Sequence, residues 1–219
     1  MPLSFDALVT ANDQQALTEL LDKQAIFELV RMERWWRDHG EWDKLAACYT
    51  EDSQVRTTWF RGSSAEFVTA SREQAQRGRR STHLITPTFV RLNGDRALVE
   101  SLMEIHNRST LDGVEADSIM YGRFFSRVRK AAEGWRLVSF DGIYSKTVIA
   151  PVNPADTLPI DWEELGRLRP SYQIWAYMLA RRGYEVGQEE LGDDRPDLLE
   201  TFYSAAERWL ETGETPGRT

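Results

Sequence analysis

The strongest constraint on the fold lies between residues 80 and 148, where four long segments rich in β-branched and apolar residues are separated by short turn signals. Those signals are Asn93-Gly94, Asp112-Gly113 and Glu133-Gly134. Asn-Gly and Asp-Gly suit the left-handed backbone of a two-residue hairpin loop. The expected strands are 80–92, 96–108, 120–128 and 135–148. Strands joined by such short turns pair antiparallel, because a parallel return needs a crossover of a dozen or more residues. Long strands in one meander twist and bend, and the hollow face of the bend needs helices to cover it.

The flanking sequence supplies those helices. Residues 1–12 are weakly patterned and read as an arm. Asp13 or Asp22 can each cap a helix start. From Asp22, the residues Ala25, Ile26, Leu29, Val30, Glu33 and Trp36 share one face at helical spacing, and Gly40 supplies the stop. Residues 42–49 read as a second short helix. Val55, Thr57 and Trp59 alternate as a strand closed by Gly62, and Ser63 with Glu66 forms a capping-box pattern opening a helix to Gly78. Beyond the meander, Pro151, Pro154 and Pro159 punctuate a linker, and residues 172–182 and 196–211 look helical. Tyr172, Trp175, Met178 and Leu179 form an apolar stripe suited to packing. The fold class expected is α+β: a strongly bent antiparallel sheet packed by N-terminal helices, over residues 1–150. Residues 151–219 form a C-terminal helical extension that docks on this domain or on a neighbouring subunit.

Charge and cysteine usage narrow the partners. Lys and Arg number 27 against 35 Asp and Glu, a net charge of −8, which repels phosphate backbones and anionic lipid heads. Nucleic acid and membrane are therefore not expected partners. No apolar stretch reaches the ~18 residues of a membrane span. The single cysteine, Cys48, excludes an internal disulfide and a thiolate metal cluster, which agrees with a reducing, cytoplasmic setting.

A few residues stand out for chemistry. Asp38 lies in a last helical turn, where the helix dipole disfavours an anion unless a cation faces it; a plain surface acid is the alternative. Glu33 sits in the middle of an apolar face, where an unpaired carboxylate would cost several kcal/mol. It must pair with a cation such as Arg37, be protonated, or line a cavity. Of the three histidines, His39, His83 and His106, the last two fall in expected neighbouring strands and could meet across them; two ordinary strand histidines are the alternative. Cys48 sits on the apolar side of a short helix and reads as packing. No phosphate-cradling glycine loop, nucleophile elbow, or paired His or Cys metal motif is present. The 24 aromatic residues (8 Trp, 7 Tyr and 9 Phe) favour a flat apolar ligand if some of them wall a pocket.

The order helix, short helix, strand, helix and bent meander resembles the nuclear transport factor 2-like cone, and local text is similar to its SnoaL-like branch. The motifs are Leu21-Asp22-Lys23-Gln24-Ala25-Ile26, Gly40-Glu41-Trp42-Asp43-Lys44-Leu45, Tyr49-Thr50-Glu51-Asp52, Ser81-Thr82-His83 and Gly134-Trp135-Arg136-Leu137, within residues 15–150. Within the branch the pattern resembles scytalone dehydratase, bile acid 7-alpha dehydratase and hexachlorocyclohexane dehydrochlorinase. The resemblance implies a catalytic Asp38, four positions before Trp42, and a catalytic His83. Ile105-His106-Asn107-Arg108, after a one-residue gap, implies His106 as a second active-site histidine. Two departures, Glu33 where relatives carry Tyr or Lys and Phe140 where they often carry Arg, imply a different substrate. Glu33, Trp59, Tyr121, Arg123 and Phe140 are the expected substrate-contacting residues.

What the resemblance implies is a cofactor-independent lyase, in which Asp38 orients His83 and the imidazole removes a substrate proton. The substrate is a small aromatic, polyketide or steroid-like molecule that loses water by β-elimination, with His106 or a protonated Glu33 assisting the leaving hydroxyl. A carbon–carbon lyase releasing formaldehyde from a lignin-derived diaryl compound would use the same proton shuttle. Two other readings stay open: a ketosteroid-isomerase-like isomerase or cyclase, and a non-catalytic subunit like those of ring-hydroxylating dioxygenases. No cofactor and no metal are expected. A homo-oligomer is, first as a trimer and second as a dimer.

Overall fold

The computed structural model describes residues 11–79 and 81–214. Most of the expected N-terminal arm and Arg80, the first residue of the expected long strand, lie outside the described residues. The elements run α1 (Ala11–His39), α2 (Trp42–Ala47), β1 (Tyr49–Thr57), β2 (Phe60–Ser63) and α3 (Ser64–Gln76), then four long strands. These are β3 (Thr82–Asn93), β4 (Arg96–Leu111), β5 (Val114–Ala131) and β6 (Gly134–Pro151). Beyond them come α4 (Trp162–Leu165), α5 (Gln173–Ala180), β7 (Leu191–Gly192) and α6 (Pro196–Thr212).

The hairpin signals act as expected, with a one-residue shift at the first and at the third, where Ala131 pairs with Gly134 and the loop is Ala132-Glu133. Leu111 pairs with Val114, so Asp112 and Gly113 form a two-residue loop with both φ angles positive, 45° and 93°. Asn93 pairs with Arg96, so the first loop is Gly94-Asp95 rather than Asn93-Gly94, and Gly94 takes φ +61°. The sheet order is β2-β1-β6-β5-β4-β3, with β7 also paired to β6. The sheet is mixed rather than antiparallel throughout: β1 and β7 run parallel to β6. Those strands are far from β6 in sequence, so no hairpin dictates their direction. The order has two free ends, β2 and β3, so the sheet curls without closing into a barrel. Part of the curl comes at Gly122, beside a register shift in the β5–β6 ladder. A Cβ there would collide with the Ile143 carbonyl oxygen, so only glycine lets the two strands approach.

Alternation along the strands gives the sheet two covered faces. Val99, Met103 and Ile105 face the concave side and pack in one core with Ile26 and Val30 of α1. Leu98, Phe125 and Ile143 face the other side, where Ala206, Trp209 and Leu210 of α6 cover them. Tyr172, Trp175 and Leu179 of the expected stripe join the concave core, so the tail packs on the cone of its own chain. No described helix is long and apolar enough to cross a membrane.

Three local expectations change. The first helix begins well before Asp22, whose carboxylate instead accepts hydrogen bonds from Lys130 Nζ at 2.7 Å and Trp135 Nε1 at 2.9 Å. The strand expected around Val55 starts earlier, at Tyr49, and turns back as β2, with Trp59 in the turn between them. The second helix is correspondingly shorter and ends at Ala47. The capping box at Ser63 is present in full: Glu66 N–H donates to Ser63 Oγ, and Glu66 Oε2 accepts from the Ser63 N–H at 2.9 Å.

The end of α1 is a Schellman cap. Glu41 N–H donates to Trp36 O at 2.9 Å and Gly40 N–H to Arg37 O at 3.3 Å, with Gly40 at φ +76°. That cap fixes the turn carrying Arg37 and Asp38. Gly40→Ala is expected to lower stability by about 1–2 kcal/mol, since L-residues resist the left-handed region, and urea denaturation measures it.

Candidate active site

Asp38 occupies the last turn of α1, among carbonyl ends that disfavour an anion. Both its oxygens are engaged by one residue. Oδ2 accepts the His83 backbone N–H at 2.7 Å, and Oδ1 lies 2.7 Å from His83 Nδ1. This clamp fastens the end of α1 to the first residues of β3 and leaves the imidazole 4% exposed. With Asp38 ionised, the proton of the neutral ring belongs on Nδ1, and Nε2 carries the free lone pair.

Two opposing effects set the titration of the pair. Burial would raise Asp38, but hydrogen bonding and charge from His83, followed by Arg37, outweigh it and hold the carboxyl below its usual range. Burial pushes His83 down to about 4, against the pull of Asp38 and with help from Arg37 and Arg34. At neutral pH the arrangement is carboxylate plus neutral imidazole, the state a general base needs.

His83 faces a small hollow of about 50 Å³. Ile105 and Phe124 of the sheet form its apolar side, and Trp59 from the β1–β2 turn lines another wall. The tail supplies Trp175, Leu179 and Tyr184. Trp175 Nε1 donates to Thr58 Oγ1 at 3.0 Å, and the Thr58 N–H donates to the Tyr144 hydroxyl at 2.9 Å, which ties the tail to the β1–β2 turn and to β6. A larger cleft of about 520 Å³ opens beside Asp38, between the end of α1 and α3, and shares Arg37, Arg79 and Ser81 with the hollow. The imidazole reaches only the smaller space, which makes that space the candidate site.

Of the expected residues, Asp38, His83 and Trp59 meet here. Glu33 does not line the hollow. It is fully buried beneath it, ion-paired with Arg34 rather than Arg37, and accepts a hydrogen bond from the Tyr49 hydroxyl at 2.6 Å. Phe140 lies in the same layer, its ring under the Arg34 guanidinium at 4.3 Å and 4.5 Å from Phe124. His106, Tyr121 and Arg123 point the other way. Period-two alternation from inward Met103 and Ile105 sends Glu104 and His106 outward, where His106 Nε2 lies 2.9 Å from Glu104 Oε2. The inward position is Asn107, which lines the hollow. Likewise Phe124 faces inward, so Arg123 lies outside and pairs with Glu100 and Asp193, each at 2.8 Å. Tyr121 carries Lys146 Nζ over its ring at 5.2 Å.

Sequence reasoning missed Arg34, Arg37, Asn107, Tyr144 and Tyr184. For Arg34 and Arg37 a signal existed: with Asp38 they share one helical face at spacings of three and four. For Asn107 it was the alternation itself. Tyr184 lies in a loop after α5, where no periodicity could aim it. Cys48 is buried and its thiol is pushed up to about 12 by burial, in keeping with packing rather than nucleophilic use. Among the described residues no three His, Cys, Asp or Glu side chains gather as a metal would require.

A family model described as a SnoaL-like domain matches residues 18–141. The chain belongs to the SnoaL-like family. The SnoaL-like match spans α1 to the middle of β6 and places the chain in the nuclear transport factor 2-like superfamily. Tyr144 and the whole tail lie beyond it. Pea pathogenicity protein 2 of Fusarium vanettenii is 26% identical over 201 residues, covering 87% of this chain and 86% of that protein. Among solved structures, a variant of Rv3472 of Mycobacterium tuberculosis, described as of unknown function, is 19% identical with a TM-score of 0.51, covering 76% of this chain and 98% of its own. Kfla4162 of Kribbella flavida is also 19% identical, with a TM-score of 0.50, covering 57% of this chain and 90% of its own. Both likenesses are of fold.

The His83 pocket sets an acid limb on stability. A histidine near 4 when folded and near 6.5 when unfolded takes up a proton only on unfolding across that window. Its contribution is full above pH ~6.5 and is lost as pH falls towards 4. Denaturation at several pH values should show that loss, up to a few kcal/mol, and His83→Gln should flatten the slope.

Proposed function

We propose that this SnoaL-like protein is a lyase that eliminates water from a small hydroxylated aromatic or polyketide-like molecule, with Asp38 and His83 as its proton-transfer dyad. The observation that carries the reading is the clamp: a largely buried carboxylate spends both oxygens on one histidine, whose imidazole lines a hollow walled by aromatic side chains. A scaffold subunit has no need of that expenditure.

The chemistry follows from the geometry. Nε2 of neutral His83 takes a proton from the carbon beside the hydroxyl-bearing carbon, and Asp38 stabilises the imidazolium through Nδ1–H. The carbon–oxygen bond breaks, the double bond forms, and the imidazolium returns the proton to the departing hydroxide. Substrate becomes alkene plus water, and His83 is neutral again. Tyr144 lines the hollow, accepts from Thr58 and donates no hydrogen bond among the described residues, so its O–H is available to the departing oxygen. Water exclusion by Trp59, Trp175 and Tyr184 strengthens each of these interactions. The hollow is far below the ~300 Å³ of an ordinary ligand pocket. Substrate entry therefore requires the wall shared with the larger cleft, Arg37, Arg79 and Ser81, to move.

The test is a panel of hydroxylated aryl and polyketide-like compounds followed by mass spectrometry, with a product lighter by one water as the expected result. Asp38→Asn and His83→Ala should each lower turnover ~10²-fold or more with the circular dichroism spectrum unchanged. Wild-type turnover in either variant refutes the dyad. A product of unchanged mass replaces elimination with isomerisation.

A further inference from the structure

The hollow is cationic in a protein of net charge −8. Four guanidinium groups line it, from Arg34, Arg37, Arg79 and Arg182, and no carboxylate does. Two of the four are answered from behind the wall, Arg34 by Glu33 and Arg37 by Asp38 at 3.4 Å. Arg79 and Arg182 form no ion pair among the described residues. Arg79 Nη1 donates to the Tyr184 hydroxyl at 3.2 Å, a neutral partner that leaves its charge uncompensated. Two further donors are buried without any hydrogen-bond partner, Arg37 Nε and Asn107 Nδ2. Gathering unpaired cations and orphaned donors around one small space costs stability, and an incoming anion with acceptor oxygens relieves both costs.

We infer that the molecule bound here carries a carboxylate, held by Arg79 and Arg182, with further acceptor oxygens presented to Asn107 Nδ2 and Arg37 Nε. The inference rests on the proposed function only in taking this hollow as the substrate site; it adds the charge class of the substrate. Planar guanidinium groups match a carboxylate in two-point contact. Arg182 and Tyr184 come from the tail, beyond the segment the family model matches. Titration agrees with the geometry: Arg182 is pushed down by burial and by the charge of Arg79, and His83 is pushed down in part by Arg37 and Arg34. A bound carboxylate offsets those positive charges, so it makes His83 a stronger base at the moment substrate is present.

Calorimetric titration of the full chain with benzoate, cinnamate and 2-naphthoate, each beside its primary amide, tests this. At least one acid should bind tenfold or more tightly than its amide, and weaken as salt is raised. Arg79→Gln and Arg182→Gln should each weaken acid binding by about tenfold while leaving amide binding unchanged, and Arg→Lys at the same positions should restore part of it. Both side chains are partly exposed, so folding should survive, and thermal melts check it. Acids that bind no tighter than their amides, tighter binding of phenyl phosphate than of benzoate, or Gln variants with undiminished acid binding would overturn the inference. The same titration in His83→Ala separates the two proposals: retained acid binding supports the carboxylate site whatever becomes of the dyad, and a lyase whose substrates are uncharged keeps the dyad and loses the carboxylate site.

Discussion

Everything at this site depends on one carboxylate held in an unfavourable place. Asp38 lies where the carbonyl ends of α1 repel it, and it stays ionised because His83 offers it a backbone N–H and a ring N–H together. The two bonds act at different levels. The backbone contact fixes where β3 begins relative to α1, and the ring contact fixes the tautomer and aim of the imidazole. A helix end, a strand start and a base are thereby positioned by one side chain, and the Schellman cap at Gly40 keeps that side chain in its turn.

The layer beneath solves a harder electrostatic problem. Glu33 and Arg34 are both almost wholly buried, and an unpaired charge there would cost several kcal/mol. Pairing alone rarely repays that cost, so the surroundings matter. Tyr49 adds a hydrogen bond to the carboxylate, and the rings of Phe67, Phe124 and Phe140 lie within 5.5 Å of the guanidinium carbon. Cation–π contact stabilises the face of the guanidinium that cannot be hydrogen-bonded. The aromatic floor thus also stabilises the cation, and Phe140 lies there without lining the hollow.

The sequence carried the parts of this arrangement that are periodic or local. Turn glycines and alternation placed the four long strands, helical spacing placed Ile26, Val30 and Glu33 inward, and the Ser63–Glu66 pair marked the start of α3. The family resemblance added the Asp38–His83 pairing, which spacing alone could not select from two ordinary residues. Misreadings arose where a long-range partner overruled a local signal. Asp22 looks like a cap and is instead the acceptor for Lys130 and Trp135, more than a hundred positions away. His106 was placed by analogy of text, although alternation within β4 already assigned its neighbour Asn107 to the concave side. The parallel pairing of β1 with β6 had no local signature at all.

Least legible was the contribution of the tail, and it is the part that gives the hollow its character. The sheet and α1 alone provide a base, an aromatic floor and two arginines whose charges are already answered. The tail closes the space with Trp175 and Tyr184 and brings Arg182 to face Arg79. Like charges do not gather in a partly dehydrated wall without a reason, because each raises the cost of the other. The tail is fastened tightly enough to sustain that cost: its apolar stripe is shared with the main core, and Trp175 is hydrogen-bonded to the β1–β2 turn. A cap that holds unpaired positive charge beside a neutral base suits the negatively charged partner inferred above. On the two proposals made above, the cone supplies the proton chemistry, and the tail selects the charge of what that chemistry acts on.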